Sequence, residues 1–95
     1  HHYHLNQFED KEAYQQLLFI NKRTVGDDGK LETIHDGTTN EEVLEMLIHR
    51  LNGLNLKFPC RENAIAITHC EIALLFLEKR TRDRIKRGVE GQHKT

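Results

Sequence analysis

The sequence predicts a small all-α protein in which a short N-terminal helix precedes an antiparallel hairpin of two helices. A capping-box pattern at residues 39–42 introduces a segment whose apolar residues recur at helical spacing. Pro59 then precedes a long stretch that contains no helix-breaking residue before Gly88. A chain of 95 residues is the size of one domain, which we expect to span residues 8–95.

The first seven residues contain three of the seven histidines and show no hydrophobic periodicity. This composition is typical of an expression-tag remnant, and we therefore leave residues 1–7 out of the fold prediction. A natural histidine-rich metal-binding tail is the alternative interpretation.

Residues 9–23 are predicted to form the first helix. Tyr14, Leu17 and Leu18 share one helical face, acidic residues fill the opening turn, and Lys22 and Arg23 close the segment. Residues 24–38 contain three glycines and three aspartates, which predicts a loop of about fifteen residues. The alternation at residues 30–34 also allows a short hairpin around Asp28 and Gly29, although a lone two-stranded ribbon is marginally stable.

The second helix should begin at Asn40, because Thr39 and Glu42 have the spacing of a capping box. Gly53 or Asn55 should end it. A third helix should begin at about Cys60 and run for close to thirty residues. Its apolar residues between Ala64 and Leu77 surround almost the whole helix, more than one partner helix can bury, which predicts a homo-oligomer.

Composition excludes several classes of protein. The chain is 37% hydrophobic and 31% charged, carries a formal net charge of -1 and has no apolar run long enough for a membrane span. Its two cysteines do not form a disulfide framework, which indicates a reducing cytosol. The histidines and cysteines outside residues 1–7 lack metal-ligand spacing, so we expect neither a cofactor nor an enzyme.

The segment from Phe58 to Ala73 contains Pro59-Cys60-Arg61-Glu62, then Ala66 and Thr68, then Glu71 and Ala73. It resembles the helical hairpin domain of the phage anti-CBASS cyclic-oligonucleotide sponges, over about half of the chain, and is most similar to the T-even coliphage member. The resemblance implies a homo-oligomer, most simply a homohexamer, in the host cytoplasm. Such a protein sequesters cyclic dinucleotides such as cyclic GMP-AMP and cyclic trinucleotides such as cyclic tri-AMP without degrading them, and so blocks CBASS immunity. The expected partners include neither a membrane nor DNA or RNA.

A cyclic dinucleotide needs a flat face for its bases and a cation for each phosphate. Tyr14 offers the face, and Lys30, or Lys22 and Arg23, offer the cations. The resemblance implies that Tyr14 and Lys30 bind the cyclic dinucleotide. In the alternative interpretation, Tyr14 packs against the second helix and Lys30 is a solvated loop charge.

Arg61 lies in the first turn of a helix, where free N–H groups and the helix dipole favour a phosphate. Thr68 follows two turns later on the same stripe, so a threefold axis would supply one arginine and one threonine per nucleotide of a cyclic trinucleotide. Asn63 completes the expected trinucleotide-binding set. Alternatively, Arg61 pairs with Glu62 or another acid, and Thr68 bonds its own helix backbone.

A second function class is nucleic-acid binding by the basic C-terminal helix. Residues 79–87 contain six basic residues and one acid, a run that suits a phosphate backbone. The run has no aromatic residue for stacking and the whole chain is slightly acidic, which favours a solvated helix end instead.

Overall fold

A computed structural model describes the backbone of residues 1–25 and 29–94, and the side chains of residues 1–24 and 29–87. The chain forms two compact units. In the described residues, the first unit, His1–Asn40, contains four β-strands, and the second, Glu41–Thr95, contains two α-helices.

The first unit opens with an antiparallel hairpin of β1 (His2–Asn6) and β2 (Tyr14–Leu18). Its register runs from the pair His2 and Leu18 to the pair Asn6 and Tyr14. The connection is closed where the Gln7 N–H donates to the Ala13 carbonyl at 3.3 Å. The prediction that residues 1–7 are a tag remnant stays a prediction, although five of them pair with β2, and so does the prediction of one domain over residues 8–95.

A second antiparallel hairpin joins β3 (Asn21–Val25) to β4 (Lys30–His35). Gly29 precedes β4 with a φ of 75°, a left-handed conformation that favours glycine because it has no Cβ. The hairpin that the alternation at residues 30–34 allowed is therefore present, while the rest of its turn, residues 26–28, lies outside the described residues.

The chain returns to the end of β2 after β4. The Thr38 N–H donates to the Leu18 carbonyl and the Ile20 N–H donates to the Thr38 carbonyl, both at 2.9 Å. This approach is possible because residue 37 is glycine. A Cβ built on Gly37 would lie 2.5 Å from the Leu18 carbonyl oxygen, closer than nonbonded atoms approach.

The prediction of an all-α fold is wrong, because strands β2 and β3 occupy most of residues 14–25, where the sequence predicts a helix over residues 9–23. Tyr14, Leu17 and Leu18 have helical spacing, but over five residues a helix and a strand cannot be told apart by periodicity alone. The strand that pairs with them lies in residues 2–6, which the sequence interpretation had set aside. Pairing with a neighbouring strand decides the conformation over local propensity. The fold is mixed α and β.

The second unit is a helical hairpin of α1 (Asn40–Lys57) and α2 (Arg61–Lys94). The predicted start of α1 at Asn40 is confirmed, but its predicted end is wrong because the helix continues through Gly53 and Asn55. The Asn55 carboxamide oxygen instead accepts a hydrogen bond from the Cys60 N–H at 3.1 Å, across the connection. Glu41 shares a recess with Glu78, Thr81 and Arg82, so the two helices are antiparallel.

A seam of partly covered residues runs along both helices in alternating steps of three and four, the spacing of helices packed side by side. Ile67, with 7% of its surface exposed, is the most deeply covered residue of the seam. The seam consists of Glu41, Leu44, Ile48, Leu51 and Asn55 on α1, and Asn63, Ile67, Cys70, Leu74, Leu77 and Thr81 on α2.

The side of α2 opposite the seam, called here the outer face, remains apolar and exposed. Leu75 and Phe76 expose 60% and 64% of their surface, and Ile65 and Ile72 are also exposed. Apolar residues occur on almost every side of α2 between Ala64 and Leu77, and within a single chain α1 therefore covers one of those sides. No helix within residues 40–57 or the described part of 61–94 is long and apolar enough to cross a bilayer.

Candidate functional site

The first turn of α2 is held by local hydrogen bonds. Cys60 acts as the N-cap residue, since its sulfur accepts from the Asn63 N–H at 3.4 Å and its carbonyl accepts from the Ala64 N–H at 3.2 Å. Pro59 precedes this N-cap and lies outside the helix, so its missing N–H removes no hydrogen bond from α2. These contacts fix the direction in which α2 presents its first side chains.

A shallow recess of about 300 Å³ lies on the outer face at this end of α2, and we call it the α2 recess. Arg61, Ala64, Ile65, Thr68 and His69 line it. The structure thus brings together Arg61 and Thr68, as their spacing of two helical turns predicts. Arg61 is exposed and forms no ion pair with any residue in the described part of the chain, including Glu62. Its guanidinium lies beside the positive end of the helix dipole, which favours an anion.

The hydroxyl of Thr68 is hydrogen-bonded to the backbone of its own helix. Its hydroxyl donates to the Ala64 carbonyl at 3.1 Å, which is the backbone bond that the alternative interpretation proposed. Because that bond uses the hydroxyl proton, the oxygen can offer only lone pairs to a ligand. Thr68 therefore suits a ligand group that donates, such as an exocyclic amino group or a hydroxyl.

Asn63 is placed differently from the other two residues of the expected trinucleotide set. Its side chain is half-buried in the seam, and its amide nitrogen donates to the Phe58 carbonyl at 3.5 Å. It does not line the α2 recess. In the structure it supports the connection between the helices.

Tyr14 begins β2 and exposes 46% of its surface. Its ring stacks on the ring of His4, with centroids 4.2 Å apart and planes 12° from parallel. The neighbouring strand therefore already provides a stacking partner for this tyrosine. Sequence interpretation missed His4, because it set residues 1–7 aside.

The expected cations of the dinucleotide site lie on the other hairpin. Side chains alternate across a strand, so the register puts Arg23 on the same face as Lys30 and Glu32, and Lys22 on the opposite face. Arg23 and Glu32 form a long ion pair of 4.0 Å between exposed side chains. The structure thus groups Arg23 with Lys30 and places Tyr14 on a different two-stranded sheet.

A second recess, of about 280 Å³, lies further along α2 within the basic run. Phe76, Lys79, Arg80, Asp83 and Arg87 line it. The Lys79 ammonium donates to the Asp83 carboxylate at 2.8 Å, and this hydrogen bond lowers the pKa of Asp83 below its ordinary value. Phe76, which lies one turn before the run, supplies the aromatic ring that the run itself lacks. The sequence contained a signal for this grouping, because residues three positions apart, such as Phe76 and Lys79, lie on the same side of a helix.

His69 also lines the α2 recess, and the expected site residues did not include it. The described residues contain no group of three or more metal-ligating side chains. Cys60 and Cys70 are free thiols, the first exposed and the second half-buried. Neither lines the α2 recess.

Comparison with known proteins matches a stretch of the chain that begins at the end of β2 and ends within α2. Residues 18–82 match the family model described as "Acb2/Tad1, hairpin domain". A relative named Thoeris anti-defense 1, from Bacillus phage SBSphiJ7, is 46% identical over 77 residues, which cover 68% of this chain and 54% of the relative. The chain thus spans about half the length of that relative. The match covers more than half of the chain and includes both Arg61 and Thr68, and the chain therefore belongs to the Acb2/Tad1 hairpin-domain family of phage anti-defense proteins.

Proposed function

We propose that this chain binds cyclic di- and trinucleotide second messengers and sequesters them intact, and thereby blocks CBASS immunity in the host cytoplasm. The observation that carries the proposal is the α2 recess. There an arginine with no ion-pair partner in the described residues and a threonine with only acceptor lone pairs lie beside a helix N-terminus.

A cyclic trinucleotide has the chemistry to meet these groups. Each nucleotide presents one phosphate, which suits the guanidinium of Arg61, and a base edge or ribose hydroxyl that can donate to Thr68. The recess in one chain is shallow and holds one arginine and one threonine. Three recesses around a threefold axis would match three nucleotides, so the site is completed by assembly.

The outer face supports that assembly. Ile65 lines the α2 recess and is also the first of the exposed apolar residues that continue through Ile72 to Leu75 and Phe76. Covering this surface by other copies of the chain would remove it from water, which is favourable in proportion to its apolar area. The same contact would bring several recesses together. A homohexamer, as the resemblance implies, is the assembly that we propose.

The dinucleotide site belongs to the strand unit in this proposal. Tyr14 would stack on a base, and Lys30 with Arg23 on one face of the second hairpin, or Lys22 on the other, would meet the phosphates. The stack between Tyr14 and His4 supports an interaction of that ring with flat groups.

Sequestration without degradation is part of the proposal, and two features of the α2 recess support it. The Thr68 hydroxyl donates its proton to the Ala64 carbonyl and not to a basic side chain, whereas an activated nucleophile is hydrogen-bonded to its base. Arg61 is a permanent cation and does not take a proton from water. The recess supplies contacts for an anion, and a sponge needs only those.

The name of the relative suggests a second bacterial defence system that this chain could block. That protein is named for action against Thoeris, and this chain is 46% identical to it in the matched region. Expression in cells that carry either CBASS or Thoeris distinguishes the two. We expect phage plaquing to recover in CBASS cells, and recovery in Thoeris cells alone would reassign the target.

The central experiment measures binding and recovery together. The protein in excess is mixed with cyclic tri-AMP or cyclic GMP-AMP, the free ligand is measured by filtration, and the bound ligand is recovered after denaturation. We expect depletion of both ligands and full recovery of intact material. Arg61→Ala should fail to deplete cyclic tri-AMP, whereas Arg50→Ala, which removes an exposed arginine of α1, should deplete it normally. Linear or hydrolysed products would show an enzyme instead of a sponge.

Nucleic-acid binding remains a second candidate because Phe76 adjoins Lys79, Arg80 and Arg87 in one recess. An aromatic ring beside cations is the arrangement that binds single-stranded nucleic acid. Titration with a generic oligonucleotide at several salt concentrations tests it. Steeply salt-dependent binding, stronger than that of the cyclic ligands, would favour this function.

A further inference from the structure

The α2 recess contains a histidine that the proposed function leaves unused. His69 lines the recess with Arg61 and Thr68, and its side chain is exposed. It follows Arg61 by eight residues, which is about 12 Å along the helix axis at about 1.5 Å per residue. Arg61 and His69 are therefore the first and last lining residues, and a ligand that fills the recess lies between them.

The nearest acid on the same side of α2 as His69 is Glu62, seven residues earlier and about 10.5 Å along the helix axis, and it does not line the α2 recess. Residues three and four positions away on the same helix are uncharged: Ile65, Ala66, Ile72 and Ala73. Glu71 is two positions away and so about 200° around the helix. Arg61 is the other charged group among the described lining residues.

The packed helix α1 adds no charge to this recess either. It covers the seam side of α2, and the seam does not include His69. The charged groups of the second half of α1 line a separate recess on its own outer side: His49, Arg50 and Lys57.

We propose that His69 is a second phosphate-binding residue of the α2 recess and that it acts in its protonated form. The inference rests on the proposed function, since the ligand is a cyclic oligonucleotide held by Arg61. Histidine is the side chain that gains charge between about pH 8 and 5. A proton on His69 adds a second N–H donor and a second positive charge beside the ligand. The affinity of this recess for a cyclic trinucleotide therefore rises as the pH falls.

The test is calorimetric titration of the full chain with cyclic tri-AMP at pH 5.5, 6.5, 7.5 and 8.0, with the oligomer checked by sedimentation at each pH. We expect the wild-type protein to bind more tightly at pH 5.5 than at pH 8.0 by roughly tenfold or more, because one charge-assisted contact accounts for about tenfold and the proposed site holds three copies of His69. His69→Gln should bind as the wild type does at pH 8.0 and lose the pH dependence. His69→Lys, with a fixed charge, should bind tightly throughout the range. His49→Gln removes an exposed histidine outside the recess and should keep the wild-type profile.

The outcomes separate this inference from the function on which it rests. An unchanged pH profile in His69→Gln, with binding still lost in Arg61→Ala, would overturn the role of His69 and leave the sponge intact. If His49→Gln instead abolished the pH dependence of binding, the titrating group would be His49 on α1. That result would also overturn the role of His69. Absence of cyclic tri-AMP binding to the wild type at every pH would overturn both proposals.

Discussion

The hydroxyl of Thr68 donates to the carbonyl oxygen of Ala64, one helical turn earlier, at 3.1 Å. The proton of this side chain is therefore committed to the helix, and its lone pairs remain for a ligand. A threonine in this state distinguishes ligand groups that donate from groups that only accept.

Thr68→Val should weaken binding of a cyclic trinucleotide by about fivefold or more, because valine keeps the shape but cannot accept a hydrogen bond, and one such bond contributes about 1 kcal/mol. Calorimetry measures the change. Thr68→Ser keeps the hydroxyl and should bind within about twofold of the wild type. Equal binding by the valine and serine variants would show that Thr68 does not contact the ligand.

Tyr14→Ala should weaken binding of a cyclic dinucleotide by about 1–3 kcal/mol, the range for loss of a base stacked on an aromatic ring. Cyclic trinucleotide binding should not change, and Arg61→Ala should show the reverse pattern. Tyr14→Phe is the matched control, since it keeps the ring that stacks on His4. Loss of both ligands through either alanine variant, in an intact oligomer, would mean that there is one kind of site.

A charge on the outer face should act differently from a charge in the seam. Ile72→Glu should dissociate the oligomer and leave the chain folded, because Ile72 is exposed in the single chain. Leu74→Glu should unfold the hairpin, because a half-buried seam position cannot accommodate an unpaired charge at a cost of several kcal/mol. Sedimentation velocity and circular dichroism measure the two effects. Leu56→Glu, at a residue with 85% of its surface exposed, is the control and should change neither. Retention of the wild-type oligomer by Ile72→Glu would contradict assembly through this face.

Two glycines should respond oppositely to alanine. Gly37→Ala should destabilise the strand unit by about 1–3 kcal/mol, because its Cβ would clash with the Leu18 carbonyl. Gly53→Ala should stabilise α1 by about 0.5–1 kcal/mol, because this position is inside a helix and its Cβ would meet no atom within 4 Å. Urea unfolding monitored by circular dichroism measures both. A neutral Gly37→Ala would show that the chain does not return to the end of β2 as described.

The helical hairpin could be predicted from the sequence because its signals are local. The Thr39 and Glu42 spacing marks the start of α1, and Pro59 marks the start of α2 within two residues. Arg61 and Thr68 could be grouped in advance because seven residues make two turns on one face of any helix. Both predictions needed no knowledge of distant contacts.

The strand unit could not be predicted in the same way, because its conformation depends on pairing. Tyr14 to Leu18 becomes a strand through hydrogen bonds to residues that looked like a tag, and five residues are too few for periodicity to decide. The position of Lys30 relative to Arg23 depends on the register of the second hairpin, which local composition does not determine. The end of α1 was also missed, since Gly53 is tolerated inside a helix at a cost of about 1 kcal/mol.

The division of α2 into a seam and an outer face has a consequence for how such a protein can change over generations. Residues that hold the hairpin together and residues that line the α2 recess occupy opposite sides of one helix. Under the proposed function, a substitution at Thr68 or His69 would alter what is recognised with little effect on whether the chain folds, since exposed substitutions usually change stability by less than about 0.5 kcal/mol. A lineage of such proteins could then acquire a new specificity one residue at a time, while natural selection on the seam keeps the hairpin constant.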